Sequence, residues 1–108
     1  MNTLITHAIA ERRLLMFAYG GAVRVAEPHL YGLNTAGHEA LSAWIRPGWS
    51  RADPEGGWRM YLADQLENLQ MLPEAFDAPR ADFNPSDAHF TQVFASVSAP
   101  PDETEPQG

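Results

Sequence analysis

Arg24-Val25-Ala26-Glu27-Pro28-His29-Leu30-Tyr31-Gly32, followed by Thr35-Ala36-Gly37-His38-Glu39-Ala40-Leu41-Ser42-Ala43-Trp44 and then by Gly57-Trp58-Arg59-Met60-Tyr61-Leu62-Ala63-Asp64-Gln65-Leu66, is the stretch that decides the fold. Short apolar and aromatic runs bounded by turn signals are the sequence form of a small antiparallel sheet. The first run predicts a strand from Val23 to Leu33, long for a strand and carrying Pro28. Proline cannot donate to a sheet ladder, so it marks an edge or a bulge where the strand bends. A sharp bend is what a small barrel needs in order to close. Asn34 to Gly37 reads as the next turn, Glu39 to Ile45 as the next strand, and residues 46–57 as a loop, since they hold Pro47, Gly48, Asp53, Pro54 and Gly56. Trp58 to Leu62 and Leu66 to Leu72 follow as strands, with Asp64 expected to cap the turn at Gln65-Leu66.

Upstream, Asn2 is a capping residue, and Leu4, Ile5, Ala8 and Ile9 fall at helical spacing, so a short amphipathic helix is expected over residues 1–13. Arg12 and Arg13 then sit at its C-terminal end, where cations suit the helix dipole. Leu15, Phe17 and Tyr19 alternate as a strand that stops at Gly20-Gly21, a dipeptide suited to a tight hairpin. Downstream of Pro73 the pattern is irregular, with Phe76 and Phe83 as expected anchors. Asn84-Pro85-Ser86-Asp87 reads as a capped helix start, and Phe90, Val93, Phe94 and Val97 space as one face of a second helix. Residues 98–108 are biased to Pro, Glu and Ser, the composition of a disordered acidic tail. The expectation is one domain over residues 1–97, with a helix at 1–13, a barrel at 14–72 and a loop and helix at 73–97.

At 108 residues, 44% of them apolar, the chain holds one packed core. Having no cysteine, it can form neither a disulfide nor a thiolate metal site, and it has no Cys nucleophile. Neither a leader-like start nor a run of about 20 apolar residues is present, which predicts a cytoplasmic chain without a membrane span. Seven arginines, no lysine and fourteen acids give a net charge of −7. Nucleic-acid binders draw affinity from a basic stripe that displaces counterions, so the charge argues against that class.

The order of parts resembles the WYL domain family: Glu27-Pro28-His29 after an apolar run, a polar hairpin with a glycine, an Ala43-Trp44 strand end, and Trp58-Arg59-Met60-Tyr61 closing toward Asp64-Gln65-Leu66. The resemblance covers roughly Thr3 to Leu72. It implies an α+β, mainly β fold, a small five-stranded Sm-like barrel, and a ligand-sensing regulatory module of a largely bacterial family. The family's closing run has the form Arg-x-aromatic-Arg-x-x-Arg. Arg59 and Tyr61 match its first two positions, whereas Leu62 and Gln65 stand where arginines would be. Of the name-giving Trp-Tyr-Leu, aligned with Glu39-Ala40-Leu41, only the leucine remains. Such modules usually accompany a DNA-reading winged helix, for which these 108 residues have no room; a homodimer or a partner protein is therefore expected.

The candidate ligand surface is Arg24, His29, Tyr31, Trp44, Arg46, Arg59 and Gln65. Strand alternation places Glu27, His29 and Tyr31 on one face, where a small polar or nucleotide-like ligand would find donors and a stacking surface. Each residue also has a plain structural reading. Trp44, Trp58 and Tyr61 suit a core or rim, and Arg24 could pair with Glu27. Catalysis is not expected. The histidines lack metal-ligand spacing, leaving only a meeting of His29, His38 and Glu27 to be considered. None of Ser42, Ser50, Ser86, Ser96 or Ser98 lies on a nucleophile elbow. No cofactor or metal is expected. The competing function is a protein-interaction module on the same fold.

Overall fold

The computed structural model describes residues 2–48, 51 and 53–98. The expected tail lies, beyond Ser98, outside the described residues, as does Ser50. One helix precedes six strands: α1 (Thr3–Glu11), β1 (Arg13–Tyr19), β2 (Ala22–Asn34), β3 (Glu39–Ile45), β4 (Gly57–Leu62), β5 (Glu67–Ala75) and β6 (Phe90–Ser96), with a 3-10 turn at Ala63–Gln65. All pairings are antiparallel, in the order β4-β3-β2-β1-β5, with β6 added to β2. No helix among the described residues is long and apolar enough to cross a membrane.

Local chemistry accounts for the first half. Asn2 accepts the backbone N–H groups of Leu4 and Ile5 at 2.9 and 3.2 Å, satisfying two orphan donors of α1. The helix stops two residues earlier than expected. Arg12 adopts a left-handed conformation at its end, φ 52°, and Arg13 already belongs to β1, donating from Nε to the Leu72 carbonyl at 2.7 Å. Neither arginine serves the dipole of the last helical turn. Gly20 and Gly21 both take positive φ, as the tight β1–β2 hairpin requires.

β2 organises the sheet. β3 runs along one side of it from Ala26 to Leu33; on the other side β1 pairs from Ala22 to Ala26 and β6 from Leu30 to Asn34. Pro28 lies in the gap between β1 and β6, where a missing N–H breaks no ladder. Opposite β3 the register slips, since Pro28 faces Ala43 and Leu30 faces Ser42, so His29 is the extra residue of a β-bulge.

Three expectations are corrected. Residues 90–96 form a strand and not a helix. Asn84 Oδ1 and Asp87 Oδ1 accept from the Ser86 and His89 backbone N–H groups, making local turns and not a helix cap. The stretch also contains Thr91, Val93, Phe90 and Phe94, which favour strands, and it covers backbone groups of β2 that β1 leaves open. The barrel is not closed: the sheet is open, because β4 pairs with β3, β5 pairs with β1, and among the described residues β4 and β5 do not pair. One bend at the bulge curls the sheet without joining its ends. β5 runs on to Ala75 through Pro73, which an edge strand tolerates. Asp64 is not a cap either; Leu62 holds that position, with no side-chain cap bond.

The core joins Ile5, Ala8 and Ile9 of α1 to Leu15, Phe17, Val25, Leu41, Ile45 and Tyr61 of the sheet. Gly32 admits β6. A Cβ there would lie 2.0 Å from the Gln92 carbonyl oxygen and 2.9 Å from Val93 Cα, both backbone atoms that cannot rotate away. Gly32→Ala is expected to destabilise the domain by about 1–3 kcal/mol, the usual cost of overpacking, with faster amide exchange over residues 90–96 than over β1. Unchanged exchange in β6 would contradict this account of the glycine.

Candidate functional site

The bulge divides the expected site between the two faces of the sheet. Glu27 faces Trp44 and Leu30 faces Ser42, residues on one side of β3, whereas Tyr31 faces Leu41 on the other. The extra residue shifts the alternation by one, so Tyr31 does not share a face with Glu27 and His29. Trp44 lies with the latter pair. Arg24, opposite Phe17, and Arg59, opposite Ala43, lie on the face of Tyr31 and Tyr61. Gln65 is exposed on the 3-10 turn, apart from both groups.

His29 is fully buried, caged by Phe76 in a stacked contact at 5.4 Å and by Trp58 and Phe83 edge-on at 4.8 and 5.1 Å. Phe76 and Phe83 anchor the segment 76–83 across the sheet, as expected. Both ring nitrogens are used. The Arg80 backbone N–H can only donate, and reaches Nε2 at 3.0 Å; the Glu27 carbonyl can only accept, and lies 2.8 Å from Nδ1. His29 is therefore the neutral tautomer protonated at Nδ1. Burial lowers its pKa from the ordinary 6.5, against the pull of the Glu27 carbonyl and carboxylate. It has no nitrogen left for a ligand, and His38 is exposed in the β2–β3 turn, so the metal grouping of His29, His38 and Glu27 does not form. Among the described residues no three His, Cys, Asp or Glu side chains gather as metal ligands.

The adjacent Glu27 carboxylate, 2% exposed, accepts from Arg80 Nε and Nη2 at 2.9 and 2.7 Å and from Arg46 Nε at 2.9 Å. Arg80 stacks on Trp44, its guanidinium carbon 3.5 Å from the ring centre, and the Glu27 bond raises its pKa further. Arg24 is not the partner of Glu27. Arg46 and Trp44 are committed to this cluster, which borders a surface cavity of about 430 Å³ beneath residues 75–81. Arg80 escaped the sequence reading because it sits in an aperiodic segment.

Tyr31 is also fully buried. Its hydroxyl accepts the Asn2 N–H at 2.7 Å and donates to Glu39. Burial and the Glu39 carboxylate push its pKa to about 12. It ties the start of α1 to the sheet.

The second arginine pair is arranged otherwise. Arg59 Nη2 meets Asp53 Oδ1 at 2.8 Å, and Arg24 Nη1 approaches Asp53 Oδ2 at 3.9 Å. Arg24 also donates weakly to the Tyr19 carbonyl at 3.3 Å and lies over the Tyr61 ring. Asp53 is 8% exposed although it belongs to the loop before β4. Tyr61, 5% exposed, packs edge-on against Phe17 and Tyr19, and burial pushes its pKa to about 12. Two buried donors here, Arg24 Nε and the Tyr61 hydroxyl, have no hydrogen-bond partner among the described residues. Such groups cost roughly 1–3 kcal/mol each when left unmade. Asp53 gave no signal in the sequence beyond its place in an Asp-Pro turn.

No protein-family model, curated protein or solved structure matches the chain.

Because His29 binds a proton less readily folded than unfolded, its contribution to stability is complete above pH 6.5 and is lost as pH falls below it. A proton on Nε2 would face the Arg80 N–H. Urea midpoints are expected to decline between pH 7 and pH 5 in the wild type and to stay flatter in His29→Gln, whatever that variant's starting stability. Glu39, whose pKa the Tyr31 hydroxyl holds below 4.5, acts only at lower pH. Equal slopes in the two proteins would exclude His29 as the acid-sensitive group.

Proposed function

We propose that this chain is a non-catalytic ligand-sensing module of the WYL type, and that it receives the anionic group of a small polar or nucleotide-like ligand at Arg24, Arg59 and Tyr61. The observation that carries the reading is the convergence of two arginines on one buried acid, beside two buried donors without partners among the described residues. Fixed guanidinium groups are suited to oxyanions, because they present several donors in a rigid fork. The positions add support. Arg59 and Tyr61 are the two residues of the closing run that agree with the family pattern, and a helix followed by five consecutive antiparallel strands is compatible with a finer Sm-like assignment. Leu62 and Gln65 remain departures, and they reduce the positive charge offered to a polyanion.

His29, Tyr31, Trp44 and Arg46 hold the scaffold in this reading, and Gln65 stands apart. The site is smaller than the sequence suggested.

A second reading, an interaction module that forms a homodimer or docks a partner protein, is favoured by the outer edge of β4. Among the described residues that strand pairs with β3 alone, and its exposed Met60 borders an open groove of about 320 Å³ with Trp58 and Phe83. Unpaired strand edges are ready templates for another chain.

A thermal-shift screen with nucleotides, cyclic and linear dinucleotides and short single strands separates the two. A ligand of the sensing module raises the melting temperature of the wild type by binding the folded state, and loses at least tenfold in affinity with Arg59→Gln. No response across the panel, in a protein that runs as a dimer by light scattering, favours the interaction module.

A further inference from the structure

The acid that holds Arg24 and Arg59 is a poor match for the donors around it. A carboxylate has two oxygens in one plane. In Asp53 one of them has a good bond to Arg59, and the other is 3.9 Å from Arg24. Arg24 Nε and the Tyr61 hydroxyl are left over, both buried. Tyr61 shares a face of β4 with Arg59, two residues away, and the Arg24 guanidinium lies 5.7 Å from its ring centre, so the three side chains form one cluster. One donor bonds this planar acceptor, a second approaches it, and two more on the same side chains and their neighbour are unanswered among the described residues. A tetrahedral oxyanion, with three or four oxygens pointing in different directions, suits that set better.

We infer that Asp53 stands in the place of a phosphoryl group, and that a phosphate-bearing ligand binds Arg24, Arg59 and Tyr61 by displacing the Asp53 side chain. The inference rests on the arginine site proposed above and adds to it a ligand class and an internal competitor. Competition of this kind lowers apparent affinity by the fraction of molecules in which the site is open. It also keeps two arginines from facing each other without a counter-ion when the ligand is absent. A ligand with a carboxylate alone exchanges like for like and leaves the same two donors unfilled. Arg59 is the accessible member, with 44% of its side chain exposed against 12% for Arg24, so the incoming group meets Arg59 first.

The test uses the full chain, with inorganic phosphate as the probe and acetate as the planar comparison, in calorimetric titrations of wild type, Asp53→Asn and Arg59→Gln. Asp53→Asn keeps the shape and removes the charge. The expected result is phosphate binding that is roughly tenfold or more tighter in Asp53→Asn than in wild type, weaker for acetate than for phosphate, and lost in Arg59→Gln. Equal phosphate affinity in wild type and Asp53→Asn, with loss in Arg59→Gln, overturns the displacement and leaves the arginine site standing. Phosphate binding in none of the three proteins overturns both. Acetate binding as tight as phosphate overturns the ligand class. Should Asp53→Asn fail to fold without added anion, circular dichroism during refolding in phosphate or acetate decides. Recovery in phosphate alone supports the inference, and recovery in neither or equally in both overturns it.

Discussion

One extra residue in β2 governs the arrangement of everything else. At His29 the strand gains a residue relative to β3, and the side chains before and after it exchange faces. Glu27 and His29 therefore point toward the segment 76–83, while Tyr31 turns toward α1. Without the bulge, the Glu27 carboxylate and the Tyr31 hydroxyl would compete for one side, and either α1 or the segment 76–83 would lose its polar anchor. Pro28 next to it is consistent with the same geometry, since it lies where β1 has ended and β6 has not begun. A bend, a change of face and a change of neighbour coincide within three residues.

The two buried acids among the described residues, Glu27 and Asp53, are answered by two arginines each, yet the two clusters differ in quality. Around Glu27 the forked bond from Arg80 and the Trp44 surface leave no polar atom unanswered in the described bonds. At Asp53 one contact is long, and Arg24 Nε and the neighbouring Tyr61 hydroxyl have no partner among the described residues. Buried ion pairs recover their desolvation cost only when geometry and hydrogen bonding are good. By that measure the Glu27 cluster is a structural joint, and the Asp53 cluster stores unsatisfied polar interaction. Four of the seven arginines are spent in these two places, which explains how a chain of net charge −7 still concentrates cations at specific points.

The parts of the fold governed by local rules were readable in the sequence. Asn2 announces the helix, Gly20-Gly21 the hairpin, and Pro28 the bulge; Phe76 and Phe83 mark themselves as anchors in a polar stretch. Where long-range pairing decides, the sequence was silent or misleading. Phe90, Val93, Phe94 and Val97 satisfy helical spacing, but β2 offers open backbone groups that a helix could not have met. Alternation placed Tyr31 beside His29 because a proline reveals that a strand bends, not which residue is doubled. Asp53 and Arg80, partners of the arginines and acid that the sequence did single out, lie in loops without periodicity. Only three dimensions associate them with Arg59 and Glu27.

The placement of β6 also sets an order of events in synthesis. β1 to β5 are complete once residue 75 has emerged, but Leu30 to Asn34 keep one edge bare until Phe90 to Ser96 arrive. Until it is covered, that edge is open to other partners. An apolar strand with an uncovered ladder is a template for mispairing. The turns of residues 84–89, rich in polar groups that bond locally, shorten the search of the final strand for its place.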